Sequence, residues 1–194
     1  MKRYSKRLYD SLLHLDVRGL RLKSVKLNSA MQKIVYLIKV GADKGNKLIF
    51  IGNGGSASIA SHISIDFLKN AGIRSLAFND SSLLTCISND LGYESVFQKP
   101  LEIMANRGDI LFAVSSSGSS ANIINAVKEA RKRKCLIITL SGFSPNNPLR
   151  KIGDFNFYVP SANYGLVEIA HLTICHYIAD TIISLKKKKW TSIK

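Results

Sequence analysis

The chain has 194 residues, 46% hydrophobic and 21% charged, with 13 Gly and 4 Pro. That is the composition of one folded domain rather than of a disordered or fibrous chain. Its cysteines, Cys86, Cys135 and Cys175, form no CxxC pair, which excludes a disulfide scaffold and a zinc ribbon and fits a reduced, cytoplasmic compartment. The formal charge is +15, yet residues 1–50 carry 12 Lys/Arg against three Asp, and 186–194 carry five Lys and no acid. The interval 51–185 is therefore nearly neutral, and neither nucleic-acid nor membrane binding is expected of the body of the protein.

The basic N-terminus, MKRYSKRLYDSLLHLD, lacks the apolar core of a secretory signal. Residues 4–15 and 25–40 read as two helices joined by a basic turn around 18–23. A buried strand at 47–51 (KLIFI) stops at GNGG, and a helix at 56–70 follows. A second strand is expected at 75–78, then helical stretches at 82–89 and 94–105. The third strand, 109–114 (DILFAV), runs into a serine cluster and a helix at 121–134. Strands at 136–140 and 155–159 and a closing helix at 164–187 complete the chain. That last stretch is apolar but holds Glu168, His171, His176 and Asp180, too many polar groups for a bilayer span. Short apolar strands alternating with helices predict an α/β fold, a doubly wound five-stranded parallel sheet with an N-terminal helical extension.

Two strand–helix turns carry chemistry. In GNGGSAS, residues 52–58, glycines let the backbone approach a ligand closely while a helix N-terminus offers free N–H groups to an anion. No GxxxxGK[ST] lysine follows, and Ala57 stands where GxGxxG needs glycine. A nucleotide cofactor is therefore not expected, although Asp80 at the end of the second strand would suit a ribose. In SSSGSSAN, residues 115–122, five serines surround one glycine at another helix start. Capping a helix needs only one of them, so the cluster points to reversible binding of a phosphate ester.

His62 and Asp66 share a helical face at i,i+4. Glu168 and His176, eight residues apart, differ by about 80° around an ideal helix and so could address one cleft, whereas His171 faces elsewhere.

Together with NDLGY at 89–93 and VEIAHLTICH in the closing helix, these motifs resemble the sugar isomerase (SIS) domain of the phosphoheptose isomerase type over nearly the whole chain. The resemblance implies a flavodoxin-like sheet, a cytoplasmic homotetramer with active sites at subunit interfaces, and isomerisation of sedoheptulose 7-phosphate to D-glycero-D-manno-heptose 7-phosphate for bacterial surface heptoses (lipopolysaccharide or capsule). On that pattern residues 1–46 are N-terminal helices of the same unit, 47–187 the isomerase domain and 188–194 a basic tail. Ser56, Ser115, Ser116, Ser117 and Ser120 fall on phosphate-binding positions, and Asn53, Gly54, Gly55, Asp90 and Glu168 on positions around the substrate. Asp66 and His176 fall on the catalytic base and the catalytic histidine, and His62, Asp66, Glu168 and His176 on the ligands of the zinc that some members hold.

Two positions depart from the family pattern. Asp66 stands where a glutamate is usual, one methylene shorter, and Glu168 where a glutamine is usual. A different sugar phosphate, as substrate or as sensed ligand, and a non-catalytic adaptor of the replication initiator on the same fold are the rival expectations. The polar groups kept in apolar contexts weigh against the adaptor.

Overall fold

The computed structural model describes residues 1–19 and 23–191, with side chains through Lys186. Uninterrupted apolar runs become the central strands β2 (Leu48–Gly52), β4 (Ile110–Ser115) and β5 (Leu136–Ser141), nearly every residue of which is buried. Such strands carry no polar face, because helices cover the sheet on both sides. The short β3 (Ser75–Ala77) and β6 (Phe155–Tyr158) flank them, and the parallel order is β3-β2-β4-β5-β6. In the register, Phe50 lies between Ala77 and Phe112.

Successive strand residues point to opposite faces and so feed two cores. One face packs Leu48, Phe50, Phe112, Ile138 and Phe157 against α2 (Leu27–Asp43), α3 (Gly55–Lys69) and α7 (Tyr164–Thr191). There Phe50 stacks on Phe112 at 4.6 Å and on Phe67 at 5.7 Å between ring centroids. The other face packs Ile49, Ile51, Leu111 and Ile137 against α5 (Gln98–Met104) and α6 (Ala121–Lys132). Leu83, Leu84 and Ile87 of α4 (Ser81–Leu91) lean on the same core. Helix α1 (Lys2–Leu13) lies on α7 through Leu8 and Leu12. By length and composition α7 would cross a bilayer, but Val167, Ala170, Ile174, Cys175 and Ile178 are buried, as in a core helix.

The structure differs from the expected pattern at three places. A sixth strand, β1 (Asp16–Arg18), pairs antiparallel with β6 at the edge of the sheet, so the N-terminal region is not helical throughout. Only Val17 of β1 is buried, and the Asp16–Arg150 ion pair ties the strand down. The basic turn that was expected to follow falls partly on 20–22, outside the described residues. The helix expected at 94–105 is a 3₁₀ turn (Tyr93–Ser95) followed by α5. Helix α7 continues to Thr191, into the stretch expected to be a tail.

At the amino end of the sheet a buried ion pair locks β2 to β4. Lys47 Nζ lies 2.5 Å from Asp109 Oδ2, and the carboxylate also accepts the backbone N–H of Lys47 at 2.9 Å and of Asn106 at 2.8 Å. Burial alone would raise the Asp109 pKa, but these hydrogen bonds outweigh it and hold the group below the usual carboxylate range. Replacing Asp109 with Ala strands a buried ammonium. The expected cost is about 3 kcal/mol, read as a lower urea midpoint with unchanged slope.

Candidate active site

The carboxyl ends of β2 and β4 lie side by side, so the Gly-rich turn and the serine turn face each other, the usual place for a ligand in an open α/β sheet. Between them is a cavity of about 240 Å³. Asn53, Gly54, Gly55 and Ser56 line it from one turn, and Ser115, Ser116, Ser117 and Ser120 from the other. Glu168 and Tyr164, at the start of α7, close it.

Neither helix that begins at the cavity is bonded by its N-cap side chain. The N–H groups of Ser56, Ala57 and Ile123 are bonded within the turns, and among the described residues those of Gly55, Ala121 and Asn122 are left for a ligand. Ser115 Oγ accepts the N–H of Gly118 at 3.2 Å, and Ser117 Oγ that of Ser119 at 3.3 Å, so these hydroxyls shape the turn. Ser116 Oγ is buried and has no partner among the described residues. A buried hydroxyl left without a bond costs stability unless a ligand or water supplies one. Gly118 has φ +62°, and a Cβ there would overlap the Asn147 amide, so the turn admits only glycine. Among the described residues no Lys or Arg lines the cavity, so an anion would be held by neutral donors and helix dipoles. A Cβ on Gly55 would come within 2.5 Å of the Glu168 carboxylate. The glycine therefore allows an acidic group to approach the turn.

The second constellation lies further along α3 and α7. Asp66 Oδ2 is 3.5 Å from His62 Nε2 and 3.6 Å from His176 Nδ1, and the two imidazole centroids are 5.2 Å apart. Asn70 Nδ2 donates to the other carboxylate oxygen at 3.1 Å. Despite its short side chain, Asp66 reaches both histidines. Their ligand atoms lie within 4.8 Å of one another. Two imidazoles and a carboxylate make a donor set suited to zinc, and three protein ligands leave a position open.

Two of the expected residues stand apart from this cluster, and one of them, Glu168, lies among the positions expected around the substrate. Glu168 is not in the His/Asp cluster among the described residues. It sits at the serine cavity, about 12 Å of helix rise before His176. Asp90 stands exposed in the last turn of α4, where it accepts Asn89 Nδ2 at 2.8 Å, and it does not line the cavity. Tyr93, from the same NDLGY stretch, is the residue that reaches the site. Its hydroxyl donates to Asn53 Oδ1 at 3.0 Å, while Asn53 exchanges two further hydrogen bonds with Asn122. Both lay within motifs quoted from the sequence, but spacing did not show that they meet.

His171 is fully buried, as its facing away predicts. Its Nε2–H donates to the Ser141 carbonyl at 3.2 Å, and burial pushes its pKa from 6.5 down to about 4.

A family model for the SIS domain matches residues 18–142. Phosphoheptose isomerase from Helicobacter hepaticus is 33% identical over 168 residues, 84% of this chain and 85% of the relative. Among solved structures, a phosphoheptose isomerase from Francisella tularensis superposes with a TM-score of 0.81 at 25% identity, covering 95% of this chain and 96% of that one. Phosphoheptose isomerase GmhA from Neisseria gonorrhoeae superposes with a TM-score of 0.74 at 30% identity, covering 79% and 86%.

The buried histidine makes stability depend on pH. Between pH 6.5 and about 4 the unfolded chain binds a proton that the folded chain refuses, so stability is lost as pH falls through that window. Urea titrations at pH 7.5 and 5.0 should differ by about 2 kcal/mol from this group. The variant His171→Leu should show a flatter pH dependence.

Proposed function

The chain belongs to the SIS-domain phosphoheptose isomerase family, and we propose that it isomerises sedoheptulose 7-phosphate to D-glycero-D-manno-heptose 7-phosphate, the ketose–aldose step toward surface heptoses. The observation that carries the residue assignment is Asp66, a carboxylate held between two imidazoles at 3.5 and 3.6 Å. It is a base whose neighbours can take up and return protons.

In this reading the serine turns bind the phosphate, and that remote binding energy is spent on orientation. Ser116, with its unpartnered hydroxyl, and the uncapped N-termini of α3 and α6 supply donors. Glu168 accepts hydrogen bonds from sugar hydroxyls rather than touching the phosphate, because two anions would repel. Asp66 removes the C1 proton of the ketose, exchanges it with solvent and delivers a proton at C2 of the enediol. His176 moves protons between the carbonyl and hydroxyl oxygens, and His62 holds the Asp66 carboxylate in place. His62, Asp66 and His176 would hold a zinc ion, which when bound would polarise the substrate carbonyl.

The assembly is a proposal too. About 12 Å of α7 separates Glu168 from His176, and Ile65 and Leu68 of α3 and Ile169 and Tyr177 of α7 are large apolar groups left exposed. Both features support a homotetramer in which neighbouring subunits complete each active site. A soluble, cytoplasmic enzyme fits the reduced cysteines.

Proton NMR of sedoheptulose 7-phosphate with the protein in D₂O, with added zinc or with chelator, tests the reading. Deuterium at C2 of a new aldose is expected. No exchange from folded protein under either condition would overturn it. His176→Gln should lower turnover by at least about 10²-fold while phosphate binding persists, and Asp66→Glu, which restores the residue usual in the family pattern, should keep activity.

A further inference from the structure

The NDLGY stretch and the last residue of SSSGSSAN meet at Asn53, and their hydrogen bonds determine which way its amide faces. The backbone N–H of Ile123 donates to Asn122 Oδ1 at 2.9 Å. An N–H can meet only an acceptor, so Asn122 must turn its oxygen toward α6. Its Nδ2 then donates to Asn53 Oδ1 at 2.9 Å, and Asn53 Nδ2 donates back to Asn122 Oδ1 at 3.0 Å. Tyr93 adds its hydroxyl to Asn53 Oδ1 at 3.0 Å. The Asn53 oxygen now has two donors, which is its full capacity, and one N–H of its amide is left over.

Asn122 is 2% exposed, so this orientation is set in a buried place. Gly92 delivers Tyr93 to it. With φ +83°, and with the Glu94 carboxylate 2.7 Å from where a Cβ would sit, it ends α4 in a turn that only glycine makes readily.

We propose that Tyr93 and Asn122 are positioning residues that hold Asn53 as an obligate donor, its free N–H presented to an acceptor oxygen of the bound sugar phosphate. The identity of that ligand rests on the isomerase reading; the orientation of the amide does not. The relay links both cavity-lining turns with the end of α4, so one side-chain amide reports on all three.

The test has two arms. In ¹⁵N-labelled protein without ligand, Tyr93→Phe should shift and broaden the Asn53 side-chain amide signals with little change in thermal midpoint, since it deletes one hydroxyl from an exposed ring. In steady-state assays with sedoheptulose 7-phosphate, Tyr93→Phe should raise KM about 5- to 10-fold, the worth of roughly one orienting hydrogen bond, with kcat within about twofold. Asn53→Asp, of the same size but acceptor-only, should lower kcat/KM at least about 100-fold. The proposal is overturned if Tyr93→Phe leaves both the amide signals and KM unchanged, or if Asn53→Asp binds substrate as the parent does. If the parent protein fails to turn over the sugar, the isomerase reading falls. The relay is then judged by the amide signals alone, with inorganic phosphate as the titrant; unmoved signals in Tyr93→Phe would sink it.

Discussion

The pairing of β2 with β4 is the constraint on which the candidate site rests. These parallel strands are neighbours in space, with Gly52 opposite Val114, although some sixty residues of sequence separate them. Because both strands end at the same level, their turns open toward each other and the helices that follow start from one place. Parallel pairing requires a crossover, and α3, β3, α4 and α5 provide it. The Lys47–Asp109 pair fixes the opposite end of the same two strands, so register is set at the bottom and used at the top.

The central fold was legible because burial on both faces writes itself as solid apolar runs, as in KLIFI and DILFAV. Strand β1 was not, since a single valine between two charged residues has no period, and its partner β6 lies near the other end of the chain. The site was legible in its turns for a similar reason. A cluster of five serines between strand and helix is more than one helix cap needs.

The spacing along α7 and at the end of α4 shows where helical reasoning stops. An angle of about 80° put Glu168 and His176 on one side of α7, but angle ignores the rise along the axis, and eight residues advance the helix by about 12 Å. Asp90 stands exposed at the end of α4, and Gly92 just beyond it breaks the helix and brings the Tyr93 hydroxyl to Asn53. Tertiary geometry, absent from spacing, decided both. The polar groups of α7 divide accordingly. His171 is a neutral core histidine anchored on the Ser141 carbonyl, while Glu168 and His176 face the two parts of the site.

The same two helices carry both parts. Helix α3 begins at Gly55 beside the serine turns and carries His62 and Asp66 on its later turns, and α7 carries Glu168 and then His176 alongside it. Each helix is therefore a ruler whose marks must keep their spacing. One inserted or deleted residue between the marks would swing everything beyond it by about 100° and displace it by about 1.5 Å. Substitutions along these segments can accumulate wherever packing allows, but their length cannot drift. Evolutionary freedom to gain or lose residues is left to the surface connections, where no functional distance is being kept.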